Sequence, residues 1–526
     1  MITELLVVLL VFGGGCAVMR TAGVRGWGLP PLGFLAGVCL LVGVGFVQVT
    51  TGLPTTPYVT LAVVFGVPVG WWATRWRRGG AKVSVPLALL SLAAVGGAVA
   101  VLRVANMFKW HPDSITYLMA GRLLAEDHYR STASTELLTT RVLGVPLLHA
   151  PANLGGALYL RSITPLLAAA TLAAVVWFLW QARRTALGGQ RFVAVAALAG
   201  LLLLTNNRVV FSFFYLNGHM LVAACVLLVA ASGWLLATGA AGDRIPRQAL
   251  MTMQILAIPV IVSTRPEGFL VAVLVLLPTV LSARIPRRHR SAVLAALGGT
   301  VLLWAALQVW FFLDRDTGVP VSVAGSAVLG VAALAAIPLL KWTVVERQGG
   351  RLLAVAEGGI WLGLLVLAVR TPDTLVTSLD ALYRNVFEGT GGYGLSIAIL
   401  GGLLLLGWLL SPALPHQAHL RFPLTTFVPF GLILAYLREG AYRAADADSM
   451  NRMIIHVVPL AVLFLFVLVT GGVGQTAGRL AGSGATLATP TRRAIYRVLD
   501  QRSGKADGSP DRRKSPVGPL SSLDSK

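Results

Sequence analysis

Residues 249–281 read ALMTMQILAIPVIVSTRPEGFLVAVLVLLPTVL, two apolar runs separated by the charged turn Arg265-Pro266-Glu267-Gly268. A helix needs roughly 20 apolar residues to cross the hydrocarbon core of a bilayer, and each run is shorter than that. We therefore expect two short membrane helices joined by a turn near the depth of the lipid headgroups. An arginine and a glutamate at that depth are costly unless they pair with each other or bind a ligand.

The composition extends this apolar pattern along the whole chain. Apolar residues make up 56% of the 526 residues, charged residues make up 12%, and the mean hydropathy is +0.77. A soluble globular chain of this length would have to cover its surface with apolar side chains. The sequence therefore predicts an all-α integral membrane protein, a polytopic helical bundle of about 13–15 spans.

About fifteen segments are apolar enough to be candidate spans. They are residues 2–19, 32–49, 58–73, 83–102, 163–180, 192–204, 220–236, 249–262, 269–281, 291–312, 323–340, 352–369, 395–410, 423–436 and 453–473.

The basic residues are distributed unevenly between the two sets of loops that join these spans. Every second loop, starting with the one that contains Arg20 and Arg25, is basic, and these loops and the C-terminal tail contain most of the 43 Lys and Arg residues. The other loops contain acids and bases in matched numbers, so the whole net charge of +22 lies on one face. Because basic loops remain cytoplasmic, we expect that face and the C-terminus to be inside the cell.

The same distribution explains the pI of about 11.0. In a soluble protein so high a pI would suggest nucleic-acid binding, but here the charge of the cytoplasmic loops accounts for it. We therefore expect the lipid bilayer, and no nucleic acid, as a partner. Any chemistry is expected on the opposite, extracytoplasmic face, where acids and arginines lie together.

Changes in composition divide the chain into three regions. Residues 1–82 are expected to form N-terminal transmembrane helices, and residues 83–473 a transmembrane core with a long external loop over residues 106–162. Residues 474–526 are rich in Gly, Ser, Pro, Arg and Lys, which predicts a basic, mostly disordered cytoplasmic tail.

The first candidate functional residue is Asp113, in the external loop. The apolar residues at positions 115, 118, 119 and 123 would form one face of an amphipathic helix that lies in the membrane interface. Asp113 stands at the start of that helix. It is either an N-cap, which accepts hydrogen bonds from backbone N–H groups, or a carboxylate held at the membrane surface as a general base.

Two further candidates are arginines near span ends. Arg265 either pairs with Glu267 at the tight turn or binds an anion, because the guanidinium matches the geometry of phosphate. Arg452 opens the last span, with His456 one turn deeper on the same face. Their alternatives are snorkelling for Arg452 and a packed, hydrogen-bonded His456. Other charged residues are interpreted as solvated loop residues: Arg208, His219, Asp314, Asp316, Asp380, Arg384 and Glu388.

The chain resembles the GT-C-type membrane glycosyltransferases, which take a sugar from a polyprenyl-phosphate carrier. The resemblance covers roughly residues 83–473, and its motifs are short. It rests on Pro112-Asp113-Ser114 with Tyr117 after a span, on Arg265-Pro266-Glu267-Gly268 after a mid-chain span, and on Asn451-Arg452 with His456 and Pro459 in the last span.

The resemblance implies a GT-C-like fold and a role for each motif. Asp113 corresponds to the catalytic base or metal ligand of the first external loop. Many members have two adjacent acids there, whereas this chain has Pro112 before a single Asp, which leaves Glu126 or Asp127 as the second acid.

The chemistry of the transfer fits the same residues. It requires a base for the acceptor hydroxyl and cations for the leaving phosphate. Asp113 would be the base and Arg265 and Arg452 the donor-phosphate ligands, supported by Glu267, His456 and Tyr117.

The expected reaction is an inverting transfer of sugar to an extracytoplasmic glycan, glycolipid or protein at the bacterial plasma membrane. The sequence specifies no cofactor, and a divalent cation stays open because Asp113 and Glu267 offer the oxygen ligands that Mg²⁺ or Mn²⁺ would bind. A secondary transporter or flippase for lipid-linked sugars is the alternative from another class, and it would need charges near the bilayer midplane. A polysaccharide polymerase or ligase is the closer alternative, since it uses the same kind of carrier.

Overall fold

The computed structural model describes most of the chain up to residue 470, and every element in that part is helical. The described residues are 2–79, 85–104, 112–129, 138, 142–182, 189–239, 246–314, 318–341, 343–388, 392–410, 417–437 and 449–470.

The first half of the chain runs from an N-terminal helical pair to a long central helix. Its helices are α1 (Ile2–Thr21), α2 (Leu29–Thr51), α3 (Pro57–Leu61), α4 (Val67–Gly79), α5 (Val85–Val104), α6 (Pro112–Ala125), α7 (Gly144–His149), α8 (Ile163–Ala182), α9 (Gly189–Leu204), α10 (Asn207–Phe214) and α11 (His219–Thr238).

The second half begins with the helical pair that flanks the Arg265 turn. Its helices are α12 (Arg247–Thr264), α13 (Gly268–Leu281), α14 (Arg287–Asp314), α15 (Val321–Leu339), α16 (Thr343–Arg370), α17 (Pro372–Phe387), α18 (Ser396–Leu410), α19 (Ala418–Leu437), α20 (Ser449–Ile454) and, after a 3₁₀ turn (Ile455–Val457), α21 over residues 458–470.

Many of these helices are suited to cross a membrane, which confirms the predicted polytopic helical membrane protein. Within the described residues ten helices are long and apolar enough, or eleven if the bent pair Val193–Leu204 and Asn207–Phe214 forms one span. Four apolar helices are shorter, and the predicted total of about 13–15 spans requires some of these to cross as well. They are Leu90–Leu102, Gly268–Leu281, Ser396–Leu409 and Ala418–Leu434.

Helix α11 lies at the centre of the packing, and α15 and α16 lie at its edge. The whole apolar window of α11 is buried, against 22% of the window in α15 and 6% in α16. An edge helix that exposes so much apolar surface is suited to face lipid, because hydrocarbon chains solvate it as well as protein does.

The N-terminal helices are packed into the same body as the rest of the bundle. A Cβ atom on Gly15 would lie 1.9 Å from the Gly33 carbonyl oxygen, so the backbones of α1 and α2 come into direct contact there. Helix α2 in turn packs on α8 and α12, and its Cys39 sulfur atom lies 3.8 Å from that of Cys225 on α11. Residues Met1–Gly472 form one compact unit, and Val473–Lys526, the predicted tail, lies outside the described residues.

Contacts between helix ends divide the bundle into two ends. At the first, the polar end, Glu4 at the start of α1 meets Ser162 just before α8, and Thr55 after α2 meets Asp127 after α6. At the other, the basic end, the Gly23 turn after α1 packs on Pro246 just before α12. Two of the predicted basic loops, the one after α1 and the one before α12, therefore meet at this end.

Helix α6 differs from the predicted interfacial helix in the face that it buries. The expected apolar face contained residues 115, 118, 119 and 123, yet Leu118 is buried whereas Ile115 and Met119 are exposed. The prediction of a single apolar face was wrong because α6 packs on α7, whose six residues are all buried. Gly121 on α6 permits a close approach, since a Cβ atom there would lie 3.0 Å from the Pro146 carbonyl oxygen.

Candidate functional site at the polar end

The turn that contains Arg265 is tight and joins two helices that touch. Helix α12 ends at Thr264, the Arg265 backbone is extended, and the Gly268 N–H donates to the Arg265 carbonyl oxygen at 2.9 Å. A Cβ atom on Gly268 would lie 2.0 Å from the Ile261 carbonyl oxygen, so glycine allows the return of the chain. Helix α13 spans roughly 21 Å, less than the thickness of the hydrocarbon core, which suits a turn at headgroup depth.

Arg265 and Glu267 form the ion pair that was one of the two readings of this turn. The Arg265 Nε donates to Glu267 Oε1 at 3.0 Å, and the side chains are 16% and 5% exposed. The pair does not isolate Arg265 from its surroundings, because its charge also acts on the rings of His219 and His456.

Arg452 and His456 lie at the same end, on the last span. Arg452 is buried, and its Nη1 donates to the Tyr215 hydroxyl oxygen at 3.1 Å. His456 Nε2 lies 3.0 Å from Nδ1 of His219, the first residue of α11. Each of these contacts joins residues 237 positions apart in sequence.

The histidine pair marks the place where the two arginines converge. Arg265 and Arg452 both interact electrostatically with the His219 ring, and Arg208 does so from the start of α10. Burial strengthens these interactions, because the low dielectric of the interior screens charges weakly. Three guanidinium groups from separate parts of the chain thus act on one buried imidazole.

Asp113 falls in the first turn of α6, whose start lies beside this cluster. The Asp113 side chain lies outside the described residues. Its neighbour Ser114 is buried and donates from Oγ to the Leu216 carbonyl oxygen at 3.1 Å, next to Tyr215. Tyr117 is one turn further along α6 and is buried as well.

Glu126 and Asp127 follow the far end of α6, roughly 20 Å from its start. Glu126 pairs with Arg122 at 2.7 Å on the surface, and this hydrogen bond holds the pKa of the Glu126 carboxyl below its usual range. Asp127 accepts hydrogen bonds from the backbone N–H and the hydroxyl of Thr55, both at 3.1 Å. The structure therefore does not bring either acid to the arginine cluster.

Several buried polar atoms in this region have no hydrogen-bond partner within the part of the chain that the structure describes. They are Asn217 Nδ2, Ser263 Oγ, His456 Nδ1 and Arg208 Nε. Asn217 uses its other side-chain atom, Oδ1, to accept the His219 N–H at 2.9 Å. Buried polar groups are nearly always satisfied, so these atoms are available to hydrogen-bond water or a polar ligand.

The cluster is better suited to an anion than to a metal ion. Within the described residues there is no group of three or more His, Cys, Asp and Glu side chains arranged to hold a metal. Glu267, one of the two predicted oxygen ligands, already accepts a hydrogen bond from Arg265 Nε through its Oε1. A carboxylate among arginines already balances positive charge, which makes a further cation unfavourable there.

Sequence reasoning missed two residues of this cluster, Tyr215 and Asn217, and gave His219 as a weaker candidate. Arg208 and His219 had been interpreted as solvated loop residues, and for His219 this was wrong because its ring is buried against His456. The signal available in the sequence was Asn217-Gly218-His219 directly before an apolar run, a pattern typical of a helix start.

Comparison with known proteins leaves the functional argument to these residues. No family model, curated protein or solved structure matches the chain.

Proposed function

We propose that this protein is an inverting membrane glycosyltransferase of GT-C type that uses a polyprenyl-phosphate-linked sugar as donor. The observation that carries the proposal is that half-buried Arg265 and buried Arg452 both lie near the His219–His456 pair. Thr264 beside Arg265 packs on Gly218, and Arg452 donates to Tyr215. Polar atoms with no partner among the described residues lie in the same region. Guanidinium groups match the geometry of a phosphate anion. A phosphate at the polar end of an apolar bundle supplies that anion, and its polyprenyl chain fits the surrounding lipid.

In the proposed donor complex the two arginines hold the phosphate. Arg452 already orients one N–H toward Tyr215, and Arg265 is oriented by Glu267, so neither side chain has to be ordered at the moment of binding. Donors that are fixed before the reaction stabilise developing charge without a cost of reorganisation. Asn217 Nδ2 and Ser263 Oγ are further hydrogen-bond donors for the same phosphate.

The proposed reaction is a single displacement at the anomeric carbon. The acceptor hydroxyl oxygen forms a bond to that carbon while the bond from carbon to the phosphate oxygen breaks, and the electron pair stays on the phosphate. The proton of the hydroxyl passes to the Asp113 carboxylate. Attack from the side opposite the phosphate inverts the anomeric configuration, and polyprenyl phosphate leaves.

The proposed location follows from the charge of the two ends. With the basic end in the cytoplasm, the polar end faces the outside of a bacterial plasma membrane. The acceptor is then a glycan, glycolipid or protein of the cell envelope. The total of about 13–15 spans belongs to this proposal too, since it requires the shorter apolar helices to cross.

The proposal gives the charge within a span a different role from the one that the transporter alternative needs. Glu357 was the residue within a span that a transporter could have used. Its carboxylate accepts two hydrogen bonds from Arg421, at 2.8 and 2.6 Å, and a third from Thr425 at 2.6 Å. A carboxylate so fully satisfied is suited to joining α16 to α19.

The test is sugar transfer by purified protein in detergent, where no compartments exist for a transporter to connect. The protein is incubated with a panel of polyprenyl-phosphate-linked sugars and envelope glycolipids, and the release of polyprenyl phosphate is measured. Transfer that is lost in Arg452→Ala and retained in Arg384→Ala, which removes an exposed arginine at the same end, supports the enzyme. Movement of lipid-linked sugar across vesicles without any transfer would contradict it, and long products would indicate the polymerase alternative.

A further inference from the structure

Helix α17 has three separate faces along its 16 residues. Its buried face, which includes Ser378, Ala381, Asn385 and Val386, packs on α19 and α20. Two other faces are exposed, and one is apolar while the other is polar. The apolar stripe, as we call it, is Val376, Leu379, Tyr383 and Phe387, and the polar stripe is Asp373, Thr377, Asp380, Arg384 and Glu388.

The apolar stripe is large and contiguous. Its four side chains are between 44% and 63% exposed, and the rings of Tyr383 and Phe387 stack with centroids 5.3 Å apart. The spacing of three or four residues places them on one line along the helix. Contiguous exposed apolar surface in a protein marks a place where water is excluded by a partner or by a membrane.

Helix α17 cannot itself cross the membrane, because two aspartates, an arginine and an asparagine interrupt it. It joins α16 to α18, two helices with highly exposed apolar residues such as Val369 and Leu395 beside the α17 junctions. Helix α17 also packs on α20, which contains Arg452, so it lies at the polar end. The apolar stripe thus continues a surface that already suits lipid.

We infer that α17 lies in the polar-end interface of the bilayer, with its apolar stripe inserted among the lipids and its polar stripe in water. A helix with one apolar and one charged exposed face is stable in that position and in few others. Asp380 and Arg384, paired at 2.8 Å, lie on the water side. The partner of the apolar stripe is the lipid surface, and this inference does not depend on the proposed reaction.

The position of α17 also fixes the depth of the candidate site. Its buried face packs on α20, the short helix that contains Arg452. Because α17 lies at the depth of the lipid headgroups, Arg452 on α20 lies at that depth too. This is the depth at which a lipid phosphate would reach the guanidinium with its hydrocarbon chain still in the membrane.

The test uses an environment-sensitive fluorophore on single introduced cysteines in the full chain, reconstituted in phosphatidylcholine and phosphatidylglycerol nanodiscs. Val376→Cys and Phe387→Cys report on the apolar stripe, and Thr377→Cys is the matched control on the polar stripe. Wild-type protein measures background from Cys16, Cys39 and Cys225. Two quenchers are compared, iodide in water and a nitroxide near the top of the lipid acyl chain.

The inference predicts several-fold stronger lipid quenching at the two apolar positions than at Thr377→Cys, and the reverse order with iodide. A nitroxide placed deep in the acyl chain should quench the apolar positions less than the shallow one. Strong iodide quenching at both apolar positions would overturn the inference. Protection from both quenchers would overturn it as well, because a protein or a second copy of the chain would then cover the stripe.

Discussion

At the scale of single residues, the candidate site depends on the absence of a side chain at Gly218. This residue lies between Asn217 and His219 and packs on Thr264, next to Arg265. A Cβ atom on Gly218 would lie 2.3 Å from the Thr264 methyl carbon, while its next neighbours are 3.5 Å away. A methyl group added at residue 218 would therefore push apart the segments that contain His219 and Arg265.

The first prediction follows from that contact. Gly218→Ala should lower the free energy of unfolding by about 1–3 kcal/mol, the usual cost of overpacking, and should weaken donor binding. The double variant Gly218→Ala/Thr264→Ser should recover most of both losses, because serine keeps the hydroxyl that bonds the Val260 carbonyl but lacks the methyl group. Thermal unfolding in detergent measures the first effect.

Gly299→Ala is the control, since the space around Gly299 is open. If Gly218→Ala were as stable as Gly299→Ala, the close packing of the two segments would be wrong.

A second residue-scale prediction concerns His149, which is buried at the end of α7, outside the spans. Its Nδ1 accepts the Leu160 N–H at 3.3 Å, and burial lowers the pKa of the ring to about 3 from an ordinary 6.5. Between these two pH values the His149 ring is therefore protonated in the unfolded chain and neutral in the folded chain. Stability present above pH 6.5 should be lost as the pH falls toward 3, by up to roughly 1.4 kcal/mol per pH unit.

The measurement is the midpoint of thermal unfolding against pH, compared between wild type and His149→Gln. The slope should be smaller in His149→Gln than in wild type. Equal slopes in the two proteins would rule out a buried neutral His149.

At the scale of elements, helix ends at the polar end are held by side chains from distant helices. Glu4 on α1 is buried, and its Oε1 accepts hydrogen bonds from both the N–H and the hydroxyl of Ser162, each at 2.8 Å. Ser162 directly precedes α8, so Glu4 satisfies a backbone donor that the helix itself cannot.

Glu4→Ala should therefore cost about 1.5–3 kcal/mol of stability, the usual range for hydrogen bonds to a charged group. Glu126→Ala removes an acid paired with Arg122 at the surface and should cost much less, because solvent screens such a pair. Chemical unfolding of both variants gives the comparison. A loss in Glu4→Ala no larger than in Glu126→Ala would show that Glu4 does not hold the start of α8.

At the scale of the whole molecule, the sequence predicted the helices well and the site in part. Each expected span coincides with a helix, because apolar composition over about 20 residues is a local property. The partners of Arg452 and His456 lie 237 residues away, and no local pattern specifies such a pairing.

The face of α6 was mispredicted because periodicity identifies an apolar stripe without saying which neighbour will cover it. His219 was misjudged because its neighbours in sequence resemble a loop, while its burial comes from the last span. In both cases tertiary packing decided the outcome.

Orientation in the membrane is the prediction that belongs to this scale. His128→Cys lies at the polar end and Ala283→Cys beside the basic loop of Arg284 and Arg287, and both positions are exposed. An impermeant maleimide should label His128→Cys in intact cells, and it should label Ala283→Cys only after the cells are permeabilised. The opposite pattern would place the candidate site in the cytoplasm.

The most direct test of the central claim is the binding of polyprenyl phosphate to purified protein. Arg265→Ala and Arg452→Ala should each weaken binding about tenfold to a hundredfold, since each removes a charge-assisted hydrogen bond of roughly 1.5–3 kcal/mol. Arg452→Lys should restore part of the loss, because lysine keeps the charge without the planar fork. Arg384→Ala, which removes an exposed arginine of α17, should bind as wild type does. Unchanged affinity in both Arg265→Ala and Arg452→Ala would contradict the account.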